Sequence, residues 1–276
     1  MTIAPRHRII ALVPSPPARL EPAAVPPELR ALLPEGFRLE PARHGQSMTV
    51  AFVEGEGTGE PLVLKHSAEA AYVGWIGTEA EVLRALADAS LPVPRVVALA
   101  DDGREAWLLL TRLPGEPLVD VLPRVPAAER PAWFRRVGAL LATIHVTPVP
   151  PALRTRDATP WRPRPRPVKV ASSSREALTA THLDAPALSP PAVLVHGDFT
   201  LDNVLADASG PCGVVDWGGA GRGDPRFDVA LALLSASEGQ LPGAACVRAF
   251  YDGYLDVVAG IDPSLYACFS ATRDGG

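Results

Sequence analysis

Short apolar runs about a strand long, set apart by glycine and proline punctuation, fill the first part of the chain, and longer runs with helical spacing fill the second. Thr49-Val50-Ala51-Phe52-Val53 and Leu62-Val63-Leu64-Lys65 flank the polar stretch Glu54-Gly55-Glu56-Gly57-Thr58-Gly59-Glu60. Two β-prone runs around such a turn predict a hairpin, because glycine reaches the backbone conformations that a tight reversal demands. Val82, Leu83 and Leu86 fall at helical spacing and predict a helix from Thr78 to Ala89, which Leu91-Pro92-Val93-Pro94 breaks. Arg95 to Ala100 and Ala106 to Thr111 read as two more strands, and Leu113-Pro114-Gly115 as a linker. Beyond it the period lengthens, with Trp133, Val137, Leu140, Leu141 and Ile144 near one face of a helix running from Pro131 to Thr143. Sheet first and helices second predict an α+β protein of two lobes, residues 1–111 and 117–276, joined by a hinge at 112–116. Pro150 to Pro191 fits neither pattern: it is rich in proline, arginine and serine, and Pro160-Trp161-Arg162-Pro163-Arg164-Pro165-Arg166-Pro167 predicts extended chain.

A chain of 276 residues is long enough for two lobes with a cleft between them. Its net charge of −5, with no long basic run, lacks the electrostatic footprint of a general nucleic-acid binder and suits a cationic small partner better. The three cysteines, Cys212, Cys246 and Cys268, are odd in number and without the close pairing of a zinc site, which predicts reduced thiols in a cytosolic protein. Near the N-terminus, Ile9-Ile10-Ala11-Leu12-Val13 is stopped by Pro14 well short of a signal-peptide core or a membrane span, and reads as a short strand or an ordered arm.

The densest chemistry lies in Val193-Leu194-Val195-His196-Gly197-Asp198-Phe199-Thr200-Leu201-Asp202-Asn203. An apolar run delivers an aspartate, and an asparagine follows at the spacing of the kinase catalytic loop H-R-D-x-x-x-x-N, with glycine in place of arginine. A carboxylate there orients an attacking hydroxyl and accepts its proton, and a nearby amide oxygen ligates a metal that neutralises phosphates. Gly213-Val214-Val215-Asp216-Trp217-Gly218 follows after a turn at Ala208-Ser209-Gly210, and its aspartate, aromatic and glycine resemble the kinase D-F-G element. Two strands joined by that turn would bring Asn203 and Asp216 to one cleft edge. Taken singly, Asp198 and Asn203 also suit turns and Asp216 a cap.

With Gly223-Asp224-Pro225-Arg226-Phe227-Asp228-Val229-Ala230 added, these segments resemble the aminoglycoside and other antibiotic phosphotransferases, which share a bilobal kinase-like fold with choline kinases. The resemblance implies phosphoryl transfer from ATP, or GTP, with Mg2+, to a hydroxyl of a small molecule such as an aminoglycoside or a macrolide. It implies that Asp198 is the catalytic base, that Asn203 and Asp216 hold the metal, that His196 braces the loop and that Asp228 ties it down. Lys65 ends an alternating strand, where a kinase lysine reaches the α and β phosphates. Glu79 is its expected partner, because Glu79, Val82, Leu83 and Leu86 follow i, i+3, i+4, i+7; the alternative is a capping box of Thr78 and Glu81 that leaves Glu79 solvated in a first turn. By the same resemblance Gly45-Gln46-Ser47-Met48 is a flap whose amides and Ser47 hydroxyl contact phosphate, and the backbone at Arg112 and Leu113 meets adenine.

The short interval from Asp216 to Asp228 leaves no room for a peptide platform, and no A-P-E motif follows, which argues against protein substrates. Glu238 and Asp252 are candidate acidic contacts to an acceptor, with surface solvation as the simpler role. Two rival classes share these residues: a non-catalytic nucleotide-binding module, and a metal hydrolase built on His196, Asp198 and Asp216, which has too few clustered histidines for an ordinary site.

Overall fold

The computed structural model describes residues 19–42, 48–56, 59–158, 191–238 and 243–274. Five strands form one antiparallel sheet in the order β1-β2-β3-β5-β4: β1 (Arg38–Pro41), β2 (Thr49–Glu54), β3 (Leu62–Ser67), β4 (Val96–Asp101) and β5 (Ala106–Thr111). Both faces of this sheet are covered. Helix α2 (Ala70–Ala85) packs with Ala106, Leu108 and Leu110 of β5, and residues from Leu20 to Leu33, including the short α1 (Pro27–Arg30), pack with Trp107 and Leu109. Successive side chains of a strand point to opposite faces, so a strand buried on both sides must be apolar throughout, and every residue of β5 is buried. Lys65 pairs in register with Leu108, which puts the lysine on the α2 face.

Helix α2 begins at Ala70, eight residues before the start expected from Thr78. Gly74 and Gly77 weaken its first turns, but Val73 and Ile76 continue the buried stripe into Ala80 and Leu83, and packing overrides the propensity. Thr78 is therefore interior to the helix and cannot cap it.

The described residues that follow are mainly helical. Two minor sheets carry the loops that matter: β6 (Glu116–Pro117) pairs with β8 (Val204–Asp207), which pairs with β9 (Gly210–Val214), and β7 (Val193–Val195) pairs with β10 (Gly221–Gly223). Glu116, expected in the hinge, is thus the first residue of a strand in the second part of the molecule. Among the described residues its helices are α3 (Leu118–Val121), α4 (Arg130–Val146), α5 (Pro225–Glu238), α6 (Ala244–Val258) and α7 (Pro263–Asp274). Asp-Pro starts both α5 and α7: Asp224 accepts the Arg226 amide, and Asp262 accepts the Ser264 and Leu265 amides, while the proline contributes no unsatisfied donor.

Helices α4 and α6 touch backbone to backbone. A Cβ on Gly138 would lie 2.0 Å from the Phe250 carbonyl oxygen, and one on Gly253 would lie 1.9 Å from that of Arg135. Gly253→Ala should force the helices apart and cost about 1–3 kcal/mol of stability, read as a lowered midpoint in urea denaturation; Gly243→Ala, where a Cβ meets nothing within 4 Å, is the neutral control.

Candidate active site

Lys65 is buried, and its ammonium meets both Glu79 carboxylate oxygens at 2.8 Å and Asp216 Oδ1 at 2.6 Å. The alternation of β3 and the period of α2 bring lysine and glutamate together; Asp216 arrives from 151 positions further along the chain. Glu79 is 1 % exposed, which excludes the solvated first-turn alternative. Burial alone would lower the Lys65 pKa, but the Asp216 and Glu79 carboxylates prevail and hold it above the usual lysine range. Burial pushes the Glu79 carboxyl up even beside that ammonium. Loss of water around Asp216 acts the same way, but Lys65 prevails there and holds Asp216 below the usual carboxylate range. Glu79 Oε1 also accepts the Trp217 amide at 3.3 Å, so one carboxylate contacts both the lysine and the residue after Asp216.

The β8–β9 hairpin brings the second half of the site together. Val204 pairs with Val214, and the Val215 amide donates to the Asn203 carbonyl at 2.9 Å, setting Asn203 beside the strand end that carries Asp216. Asn203 Nδ2 donates to the Asp198 carbonyl at 2.9 Å and to Asp198 Oδ2 at 3.0 Å. With its nitrogen so engaged, the amide presents its oxygen as a ligand. An amide and a carboxylate oxygen form a donor set that suits magnesium, which takes one or two protein oxygens and completes its shell with water and phosphate. Among the described residues no three His, Cys, Asp or Glu side chains gather into a metal cage, so the histidine-based hydrolase site is not assembled.

His196 joins the two loops. Its Nε2 bonds the Val215 carbonyl at 2.9 Å, which places the proton on Nε2, and its Nδ1 accepts the Asp198 amide at 3.2 Å. The fully buried Asp228 accepts the His196 amide at 2.6 Å and the Gly197 amide at 3.0 Å, with Gly197 at φ 82°. Behind it, His145 Nε2 lies 3.3 Å from Asp228 Oδ2 and His145 Nδ1 lies 2.7 Å from the Tyr254 hydroxyl. Neither Tyr254 nor His145 lies within a motif or among the expected site residues. The available signal was a histidine within an apolar helix face, since a buried ring needs partners at both nitrogens.

The Arg112 amide donates to the Pro61 carbonyl at 2.7 Å, and its guanidinium covers the Phe52 ring at 3.8 Å and pairs with Glu54 at 3.0 Å. Arg112 thus secures the β2–β3 hairpin to the segment that follows β5. Met48 packs against the larger core. Gly45, Gln46 and Ser47, the Arg6 to Val13 run and the greater part of the arginine-rich stretch, residues 159–190, lie outside the described residues. Asp252 pairs with Arg273 at 3.4 Å and so links α6 to α7, and the Glu238 side chain is not described. Cys212, Cys246 and Cys268 form no disulfide, and no helix among the described residues is long and apolar enough to cross a membrane.

The profile of a phosphotransferase enzyme family matches residues 38–264. An aminoglycoside 3'-phosphotransferase of Escherichia coli is 30 % identical over 76 % of this chain and 81 % of its own length. A second aminoglycoside 3'-phosphotransferase, from Streptomyces fradiae, is 30 % identical over 64 % of this chain and 71 % of its length. Among solved structures, a type VIII aminoglycoside 3'-phosphotransferase superposes with a TM-score of 0.60 at 27 % identity, over 90 % of this chain and 96 % of its own. A choline kinase of Streptococcus pneumoniae, at 14 % identity and a TM-score of 0.53 over 90 % of this chain and 84 % of its own, shares the fold.

Burial holds the His196 imidazole below the usual histidine range, against the pull of Asp228. The unfolded chain therefore binds that proton more tightly, and His196 contributes stability that is present above about pH 6.5 and lost as the pH falls through its lower folded value. Thermal melts from pH 8 down to pH 5 should show a falling midpoint in the parent and a flatter acid limb in His196→Gln. Parallel profiles would remove this assignment.

Proposed function

The chain belongs to the phosphotransferase enzyme family, and from that premise we propose that it transfers the γ-phosphate of ATP, with magnesium, to a hydroxyl of a small molecule. The observation that carries the reading is the meeting of Lys65, Glu79 and Asp216 next to the hairpin that holds Asn203 against Asp198. These are the groups that phosphoryl transfer needs, since its loosely bonded transition state leaves catalysis to positioning and charge neutralisation.

In this reading Lys65 binds the α and β phosphates, and Glu79 keeps the ammonium aimed at them. The phosphates compete with Asp216 for Lys65, which releases the aspartate toward its second task. Asn203 and Asp216 hold magnesium, which when bound neutralises phosphate charge. Asp198 receives the acceptor hydroxyl, orients its oxygen toward the γ-phosphorus and takes its proton. His196 acts at one remove, fixing the Asp198 amide and the Val215 carbonyl together. The Leu113 amide bonds the adenine edge, and Ser47 and Met48 belong to the flap over the phosphates. The lobes divide at residues 112–115, just before β6, and the enzyme works in the cytosol, with its three cysteines reduced.

An aminoglycoside is the acceptor best supported, because the relatives at 30 % identity carry that substrate in their names. A macrolide is the second choice: Asp252, one of two acidic side chains singled out for a polycation, is engaged with Arg273.

Asp198→Ala should lower turnover about 10²- to 10⁴-fold while leaving nucleotide affinity within about twofold, measured by coupled ATP consumption over a panel of hydroxylated antibiotics and by calorimetric titration with ADP. Near-parental turnover in that variant would refute the role given to Asp198. A parent that phosphorylates nothing on a broad panel while still binding nucleotide would point instead to a non-catalytic module.

A further inference from the structure

Asp216 has φ 70° and ψ 55°, and it is the one non-glycine residue with positive φ among the described residues. Left-handed backbone is disfavoured for a residue with a Cβ, less for aspartate than for most, so contacts that hold the following turn bear on how firmly Asp216 keeps it. The enforcement is visible in the next four residues. Trp217–Gly219 form a single 3-10 turn, and a turn end leaves carbonyl oxygens that need donors. The Arg156 guanidinium supplies them, from Nε to the Ala220 carbonyl at 3.0 Å and from Nη2 to the Gly218 carbonyl at 3.3 Å.

Arg156 is itself held by backbone. The Arg222 amide donates to the Arg156 carbonyl at 2.8 Å and the Ala158 amide to the Arg222 carbonyl at 2.9 Å, so residues 156–158 add a parallel edge to β10. On the other side of the turn, a Cβ on Gly197 would come within 2.4 Å of the Gly219 carbonyl oxygen, and one on Gly218 within 2.9 Å of the Trp75 ring. The turn is gripped between the Arg156 edge, α2 and the loop that carries Asp198.

We propose that Arg156 is a positioning residue for metal binding: its two-pronged grip on the carbonyls of Gly218 and Ala220 holds Asp216 in the conformation that presents its carboxylate to a divalent cation. The proposal rests on the assignment of Asp216 as a metal ligand. The planar fork suits two carbonyls at once, whereas the ammonium of a lysine is a point donor that satisfies one.

The test uses the full chain with ADP bound, Arg156→Met and Arg156→Lys beside the parent, and Asp216→Asn to define binding at this site. Mn2+ affinity is measured by electron paramagnetic resonance, ADP affinity in chelator, and amide exchange over residues 214–223. Arg156→Met should weaken Mn2+ about 10- to 100-fold, the loss usual for groups that orient metal ligands, and speed exchange in that segment, with chelator-measured ADP affinity unchanged. Arg156→Lys should recover part of the loss. A folded Arg156→Met protein with parental Mn2+ affinity overturns the proposal, as does a parent that binds no Mn2+ through Asp216. If Arg156→Met does not fold, parental affinity in Arg156→Lys, one prong short, overturns it equally. A parent that binds Mn2+ through Asp216 but phosphorylates nothing would sink the proposed function and leave the positioning role intact.

Discussion

An ammonium in an apolar interior must be surrounded by carboxylates, and the rest of this site depends on how the chain meets that requirement at Lys65. The charge sits on the buried face of β3, so α2 must present Glu79 at the same level, and the Asp216 loop must close over the pair. Removing a partner from a buried ion pair costs about 3–5 kcal/mol, because the remaining charge is stranded. The cluster therefore sets the distance between the five-stranded sheet and the loops below it. It also leaves Asp216, 40 % exposed at its side chain, as the member that a solvent-borne group can reach.

The loops are fixed from below by a second set of contacts that are nearly all to backbone. Asp228 takes two amides, His196 takes one amide and one carbonyl, Arg156 takes two carbonyls, and Asn203 takes the Asp198 carbonyl. Side chains that bond backbone fix where a loop runs without constraining which side chains project from it. That division fixes the course of the loops that carry Asp198 and Asp216 through their backbones.

How much of this the sequence disclosed follows from how local each signal is. The period of Glu79, Val82, Leu83 and Leu86 placed the glutamate on the inward face, and the turn at Ala208-Ser209-Gly210 placed Asn203 near Asp216; both need only neighbours in the chain. Helix α2 starts earlier than the spacing of Val82, Leu83 and Leu86 predicts, because Gly74 and Gly77 interrupt the local signal, whereas the burial of Val73 and Ile76 that extends the helix is tertiary. The cover provided by Leu20, Val25 and Leu29 went unread for the same reason, as did the Tyr254–His145–Asp228 chain, whose members lie 83 and 109 positions apart. Arg112 lay in the expected connector, but its guanidinium stacks on Phe52 and its amide is taken by Pro61, a use that spacing alone could not reveal.

The edge strand at residues 156–158 has a further consequence, for descent. The chain leaves the described fold after Ala158, bonded to β10, and returns just before β7, the partner of that same strand. Exit and re-entry lie two strand spacings apart, roughly 10 Å. Over descent, a connection whose two ends are both held on β10 can change in length at a cost that grows only slowly with its number of residues, and β7 still leads into Asp198 from the same place.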